Sequence, residues 1–382
     1  MSQHNRLIPA LIIIVILAFA GGYLLGTYGP PRSSEIPDDT SRDSIAEAWD
    51  IILNDYVEQS RIDTANLSGA AIDGMLQVLD DPYSAYLNAE QFALGNSLLE
   101  GSYNGIGAYV TVDENEQIVI IAPIAGSPAD KAGIKPGDVI LEIDGEPIID
   151  MSFAEAVIKI RGPKDTTVKL LVRHEGETEP VEIEVIRATF EVPSVRSEMR
   201  GETAYINITD FTERTPDELD GALQSAKDQQ ATGIVLDLRG NPGGLLDPVI
   251  EVASSFLTEG IVVKIRDNQG EVTTFRVQTE RPKIYLPMVV LVDGASASGS
   301  EVLAGALQDH KRATIAGTKT YGKGSVNALY PLSDGSGLYI TTARWLTPND
   351  RLIEGQGIEP DIELEVTGED AIQWAIDYLK NR

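Results

Sequence analysis

The chain of 382 residues contains no cysteine. Disulfides, thiolate metal sites, a thiol nucleophile and lipid-modified cysteine are therefore excluded. Histidine is nearly absent as well, since only His4, His174 and His310 occur, and they lie in different regions of the chain. Three scattered histidines supply too few ligands for a histidine-based metal centre, so we expect no metal and no other cofactor.

Positive charge is also scarce. Acidic residues outnumber basic ones 59 to 30, which gives a net charge of −29. Nucleic-acid binding needs a basic surface, so this class of partner is excluded, and the acidity indicates a well-solvated surface. The length is sufficient for two or three domains with their own cores.

One long apolar run stands near the N-terminus. Residues 7–26 carry no charge and follow Arg6; as a helix they would extend about 30 Å, the thickness of a bilayer core. We expect a transmembrane anchor in residues 1–28, followed by a linker in residues 29–43. The alternative is a signal peptide cleaved after residues 18–20 (Ala-Phe-Ala). Both readings place the bulk of the protein outside the cytoplasm, either anchored by a single span or secreted or periplasmic.

Residues 44–100 show helical spacing, with Ile45, Trp49 and Ile52 on one face and a turn at residues 80–84. The mixed polar and aliphatic pattern predicts a helical N-terminal region without catalytic residues.

Residues 101–188 change to short β runs separated by turn signals. The stretches at 104–108 (Asn-Gly-Ile-Gly-Ala) and 127–138, together with a helical pattern at 152–160, resemble a PDZ domain. Such a domain adds a peptide strand at a sheet edge and binds the terminal carboxylate with backbone N–H groups of its glycine loop. The residues that the resemblance assigns to peptide binding are Gly105, Ile106 and Gly107.

Strands and helices alternate over residues 189–366, which predicts a largely parallel sheet covered by helices, and residues 367–382 form a closing helix. Residues 215–218 (Thr-Pro-Asp-Glu) have the spacing of a capping box at a helix start. The predicted class is α/β.

Two residues of this last region suggest nucleophilic chemistry. Ser298 follows an apolar strand and precedes a helical pattern, so it stands where free N–H groups stabilise developing negative charge. Lys323, flanked by glycines, lies 25 residues further on. A desolvated lysine is one of the few side chains that can activate a serine. Ser296 and Ser300 are the competing serines, with helix capping or turn formation as their alternative role.

Three stretches then carry a second resemblance, namely 237–244 (Asp-Leu-Arg-Gly-Asn-Pro-Gly-Gly), 294–301 and 321–326 (Tyr-Gly-Lys-Gly-Ser-Val). They resemble the carboxyl-terminal processing, or tail-specific, peptidases. The resemblance implies a crotonase-like protease core with an inserted PDZ-like domain, with Ser298 as nucleophile and Lys323 as general base.

Further roles follow from the same resemblance. The oxyanion hole is expected from the N–H groups of Gly243 and Gly299. The family usually has a glutamine four residues after the lysine, where it orients the amine; here the residue is Asn327, which is one methylene shorter. We count Asn327 with the catalytic residues while leaving its orienting role open.

The expected function is that of a serine endopeptidase that processes or degrades extracytoplasmic proteins from apolar C-terminal tails. The main alternative is a membrane-tethered PDZ adaptor with an inactive protease core. A phosphate-binding loop at residues 317–323 is disfavoured, because Gly324 stands where Ser or Thr must bind magnesium. A Ser/His/Asp hydrolase is disfavoured as well, because Ser298 does not lie in the Gly-x-Ser-x-Gly motif that such an enzyme needs. The oligomeric state stays open.

Overall fold

The computed structural model describes residues 40–89, 91–92, 102–113, 117–124, 126–151, 153–191 and 193–381. Within these ranges no helix has both the length and the apolar character that a membrane crossing requires. The predicted anchor, residues 1–28, lies outside them.

The N-terminal region contains two helices and a short strand. These are α1 (Thr40–Asp55), α2 (Thr64–Gln77) and β1 (Ala85–Leu87), with a 3₁₀ turn at Gln59–Arg61. Helix α1 begins inside the predicted linker, because Asp43 in its first turn suits the positive end of the helix dipole. Asp63 caps α2 by accepting hydrogen bonds from the N–H groups of Ala65 and Asn66.

The next region is mainly β structure. Its elements are β2 (Ser102–Gly105), β3 (Ala108–Val112), β4 (Ile118–Pro123), α3 (Pro128–Ala132), β5 (Val139–Ile143), β6 (Glu146–Pro147), a 3₁₀ turn (Ile148–Asp150), α4 (Phe153–Ile160), β7 (Thr167–Arg173), β8 (Val181–Ile186) and β9 (Ala188–Glu191). An antiparallel sheet in the order β3-β4-β5-β7-β8 encloses its own core around Ile120, Ile143 and Leu170. Strand β2 pairs separately with β9.

The C-terminal core alternates strands and helices. Its elements are β10 (Val195–Arg200), β11 (Thr203–Ile208), α5 (Thr215–Asp228), β12 (Gly233–Asp237), α6 (Leu246–Phe256), β13 (Ile261–Asp267), β14 (Val272–Arg276), β15 (Met288–Val292), α7 (Gly299–Asp309), β16 (Thr314–Gly317), β17 (Ser325–Pro331), β18 (Gly337–Leu346), β19 (Ile362–Glu363) and α8 (Gly368–Lys380).

A six-stranded sheet in the order β10-β11-β12-β15-β16-β19 forms the centre of this core, and all of its pairs except β10–β11 are parallel. Every residue of β12 and β15 is buried, because α5, α6 and α7 cover one face and α8 covers the other. A second sheet runs β1-β18-β13-β14, with β17 paired to β18. The molecule is therefore mixed α/β as expected, while the description of its core as crotonase-like stays a prediction.

The start of α5 is predicted correctly at Thr215, but the capping box is wrong. The Glu218 carboxylate accepts hydrogen bonds from the N–H groups of Ser194 and Val195, at 2.7 and 3.1 Å, and not from its own helix start. Without Glu218 these two N–H groups would have no acceptor, and hydrogen bonds to a carboxylate are stronger than those to a neutral group. The Glu218 side chain is therefore used by the segment that leads into β10.

Candidate active site

Ser298 stands at the turn between β15 and α7, and its backbone is strained. Its φ of 51° and ψ of −113° are uncommon for a residue with a side chain, and the residue is 1% exposed. Helix α7 begins at the next residue, Gly299, where the first N–H groups have no intrahelical acceptor. The structure thus places Ser298 at a helix N-terminus, as predicted.

The two competing serines are engaged in structure. The Ser296 hydroxyl donates to the Leu238 carbonyl at 2.8 Å and accepts from the Asp293 N–H at 3.0 Å. The Ser300 hydroxyl donates to the Asn241 carbonyl at 2.9 Å. Both side chains therefore tie the serine turn to the loop after β12.

Lys323 lies in the loop before β17 and is only 2% exposed. Burial lowers the pKa of its amine to about 8, although the carboxylates of Glu354, Glu301 and Asp81 oppose this shift. Part of the lysine population is therefore neutral at mildly alkaline pH, as a general base requires.

Glu301, in the first turn of α7, joins these two residues. Its Oε2 accepts hydrogen bonds from the backbone N–H groups of both Ser298 and Lys323, each at 2.9 Å. Its Oε1 accepts from the Gly322 N–H at 2.7 Å and from the Thr320 hydroxyl at 2.6 Å. The serine turn and the lysine loop are therefore held within two hydrogen-bond lengths of each other by one buried carboxylate.

The roles assigned to Gly243 and Gly299 in binding an oxyanion stay predictions. Gly243 lies against the serine turn, because a Cβ on it would come within 2.8 Å of both Ser298 Cβ and the Gly299 nitrogen. However, the Gly243 N–H donates to the Asn241 side-chain oxygen at 2.8 Å. In this arrangement it does not point to an empty acceptor position.

The Asn327 side chain, whose orienting role was left open, makes its hydrogen bonds to groups other than the lysine amine in the described part of the chain. The Asn327 Nδ2 donates to the carbonyl of Tyr83 at 2.9 Å and to the hydroxyl of Thr341 at 3.0 Å. Its Oδ1 is buried and has no hydrogen-bond partner in the part of the chain that the structure describes. The shorter side chain binds the N-terminal segment instead of Lys323, so its catalytic role stays a prediction.

Of the three predicted peptide-binding residues, Gly105 ends β2, whereas Ile106 and Gly107 lie between β2 and β3. The carbonyl of Ile106 accepts from the Ala129 N–H at 2.8 Å, and its side chain is buried in the β-domain core. Gly107 has a φ of +75°, and a Cβ there would lie 2.6 Å from Ser127, so only glycine fits. Since β3 is at the edge of its sheet, this loop borders a strand that could pair with a peptide, although peptide binding itself stays a prediction.

Two important residues were missed from the sequence. Glu301 is the fourth residue of Ser-Gly-Ser-Glu, which has capping-box spacing from Ser298, so its engagement could have been predicted. Tyr83, in the region expected to lack catalytic residues, places its ring centroid 5.5 Å from Lys323 Nζ. Local spacing gives no signal for that long-range contact.

The rival phosphate-binding loop is excluded by geometry. Residues 317–323 are followed by strand β17, whereas such a loop must lead into a helix whose N-terminus binds the phosphate.

Known protein families match three parts of the chain. The profile of Peptidase family S41 matches residues 202–364, the PDZ domain matches residues 93–173, and the activating protease CtpB N-terminal domain matches residues 31–91.

Individual relatives agree with these matches. The carboxy-terminal-processing protease of Bartonella bacilliformis is 41% identical over 308 residues, which cover 79% of this chain and 70% of that protein. The carboxy-terminal processing protease CtpA of Bacillus subtilis is 36% identical over 364 residues, covering 94% and 76%. Among solved structures, the photosystem II D1 C-terminal processing protease has a TM-score of 0.54 at 29% identity, covering 87% of this chain and 96% of that one. The chain therefore belongs to the family of carboxy-terminal processing proteases, which are serine-type peptidases of family S41 with a PDZ domain.

Proposed function

We propose that the protein is an endopeptidase with a Ser298/Lys323 dyad, acting outside the cytoplasm on proteins with apolar C-terminal tails. The observation that carries this proposal is the Glu301 carboxylate, which binds the backbone of both residues, together with the burial that lowers the pKa of Lys323 to about 8. The uncharged run at residues 7–26 supports a membrane anchor, and the PDZ match supports tail recognition.

In the proposed reaction, neutral Lys323 accepts the hydroxyl proton of Ser298 while the serine oxygen attacks the scissile carbonyl carbon. The tetrahedral oxyanion then forms next to the first N–H groups of α7. The C–N bond breaks, the lysine proton passes to the leaving amine, and an acyl-enzyme remains. Neutral Lys323 next takes a proton from water, and the resulting hydroxide attacks the ester carbonyl carbon. The bond from this carbon to the Ser298 oxygen breaks, the lysine proton returns to that oxygen, and the carboxylic acid product leaves.

The test uses the full-length protein and a folded substrate protein with an apolar tail, beside the same substrate ending in two aspartates. We expect Ser298→Ala and Lys323→Ala to lower kcat at least about 10³-fold. Lys319→Ala is the matched control, because this lysine is exposed and paired with Glu359, and it should cleave at the normal rate.

Each other outcome has a distinct meaning. Cleavage that survives Ser298→Ala rejects the nucleophile. Equal rates on the two tails reject apolar-tail recognition. No cleavage by any form supports the competing hypothesis of an adaptor with an inactive core.

A further inference from the structure

The segment that follows α2 lies across the sheet that carries Asn327. Strand β1 pairs antiparallel with β18, with Ala85 opposite Tyr339. Just before β1, the Ser84 hydroxyl accepts from the Thr341 N–H at 3.1 Å. The Tyr83 carbonyl accepts from Asn327 at 2.9 Å, so the backbone position of Tyr83 is fixed from both strands of the hairpin.

A β-bulge explains why Asn327 has this partner. Val326 lies opposite Ala343, but Asn327 lies opposite Thr341, so one extra residue of β18 is accommodated between the two pairs. Such bulges redirect side chains and are frequent beside active sites. Here the amide is directed to Thr341 and Tyr83.

The side chain of Tyr83 covers the lysine amine. Its ring centroid is 5.5 Å from Lys323 Nζ, within the range of a cation–π contact. Tyr321 lies beside the Tyr83 hydroxyl and, together with burial, raises its pKa, so the hydroxyl stays protonated. Since Lys323 is 2% exposed, this ring is part of the cover that keeps water from the amine.

Opposing effects act on this amine. The ring and the carboxylates of Asp81, Glu301 and Glu354 favour the ammonium, and Arg344 lies near Asp81 and Glu354. The ring acts through the cation–π contact, and the carboxylates act through their charge. Burial outweighs the three carboxylates, since the pKa of the amine is lowered. For the Tyr83 ring we likewise expect the cover that it gives the amine to exceed its attraction for the ammonium.

We propose that Tyr83 is a positioning residue for Lys323, and that Asn327 acts on the lysine through Tyr83 by holding its backbone carbonyl. This inference rests on the proposed function, in which Lys323 is the general base. The N-terminal region thus completes the active site of the C-terminal core.

Two measurements on the full-length protein test the inference. The first is the pH dependence of kcat and KM with the tailed substrate. The second is independent of catalysis: in the Ser298→Ala background, the rate of acetylation of Lys323 by acetic anhydride is followed by mass spectrometry against pH, which titrates the amine directly.

Tyr83→Ala should admit water and raise the midpoint of both titrations by about one pH unit or more. At pH 7.5 kcat should then fall roughly tenfold with KM unchanged, and recover at higher pH. Tyr83→Phe is the conservative control, because it keeps the ring, and its midpoint should stay at the wild-type value. Asn327→Ala should shift the midpoint in the same direction as Tyr83→Ala.

An unchanged acetylation midpoint in a folded Tyr83→Ala protein overturns the role of Tyr83, and an unchanged midpoint in Asn327→Ala overturns the role of Asn327. Full activity of Lys323→Ala would instead reject the proposed function, whereas the acetylation titration would still report on the amine. The two failures are therefore distinguishable.

Discussion

At the scale of single residues, the Glu301 carboxylate connects four donors that come from two separate loops. Each of the two carboxylate oxygens accepts two of these hydrogen bonds. Three of the four donors are backbone N–H groups, which cannot act as acceptors instead. Burial raises the pKa of Glu301, and the hydrogen bonds that it receives oppose this shift.

Glu301→Gln should therefore be severely damaging. The glutamine NH₂ group would face two donors, so we expect a loss of about 3 kcal/mol in the free energy of unfolding and about a 100-fold loss of activity. Urea unfolding and peptidase assays measure both quantities. Glu359→Gln, which removes a surface ion pair, should change stability by less than about 1 kcal/mol. A stable, active Glu301→Gln variant would contradict the bridging role.

Lys323 gives a stability prediction with a defined sign. Its pKa falls from 10.5 to about 8 on folding, so between these values the unfolded chain holds a proton that the folded chain has lost. Stability from this residue therefore rises with pH across that window, and below pH 8 the full penalty of about 3 kcal/mol applies. Lys323→Met should be more stable than the wild type by up to this amount at pH 7, and the advantage should shrink toward pH 10. Denaturant titrations at the two pH values test it, and a pH-independent difference would refute the assignment.

At the scale of elements, the glycines on either side of Lys323 allow the loop before β17 to lie close to the backbone at residues 354–357. A Cβ on Gly324 would lie 2.1 Å from the backbone nitrogen of Glu354, where no side-chain movement can relieve the clash. The loop before β17 can therefore pass close to residue 354 only if this position is glycine.

Gly324→Ala should consequently cost about 3 kcal/mol or more in stability and abolish cleavage, because the loop that carries Lys323 must move. Gly221→Ala is the matched control: it lies in α5 with open space around it, and should stabilise by about 0.5–1 kcal/mol. Thermal unfolding of both variants provides the comparison, and equal melting temperatures would be the contrary result.

The elements also show how far local sequence reasoning extends. The helix starts at Ser298 and Thr215 follow from hydrophobic periodicity and local composition, because those signals act within a few residues. The hydrogen-bond partners of Glu218 and Asn327 cannot be predicted in this way. Each partner is a backbone group that needs a hydrogen bond and that only the fold brings close to the side chain. A shorter amide at position 327 is visible in the sequence, but its acceptor on Tyr83 is not.

At the scale of the whole molecule, the β domain and the C-terminal core have separate hydrophobic clusters. Arg187 lies in the β domain and is buried. It donates hydrogen bonds to the carbonyls of Lys159 and Ile160 at the end of α4. It also donates to the Thr166 hydroxyl and to the Thr167 carbonyl. Two cores of this kind do not have to unfold together.

Calorimetry of the full chain should therefore show two transitions. Arg187→Met leaves buried carbonyls of the β domain without donors. It should therefore lower the melting temperature of the β-domain transition by about 5–10 °C and leave that of the C-terminal core unchanged. A matched surface change, Arg61→Met, removes only an exposed pair with Glu58 and should move neither. A single transition that shifts as a whole would show that the cores are coupled.

The contact between Tyr83 and Asn327 joins positions 244 residues apart. A ribosome makes Tyr83 well before the β17–β18 hairpin. Contacts of such large sequence separation form late in folding. If Tyr83 sets the basicity of the amine as proposed, the enzyme gains a working base only after the β17–β18 hairpin has been made and has packed against the segment that carries Tyr83. Newly synthesised copies would then pass through their most vulnerable, partly unfolded stage without the ability to cut one another.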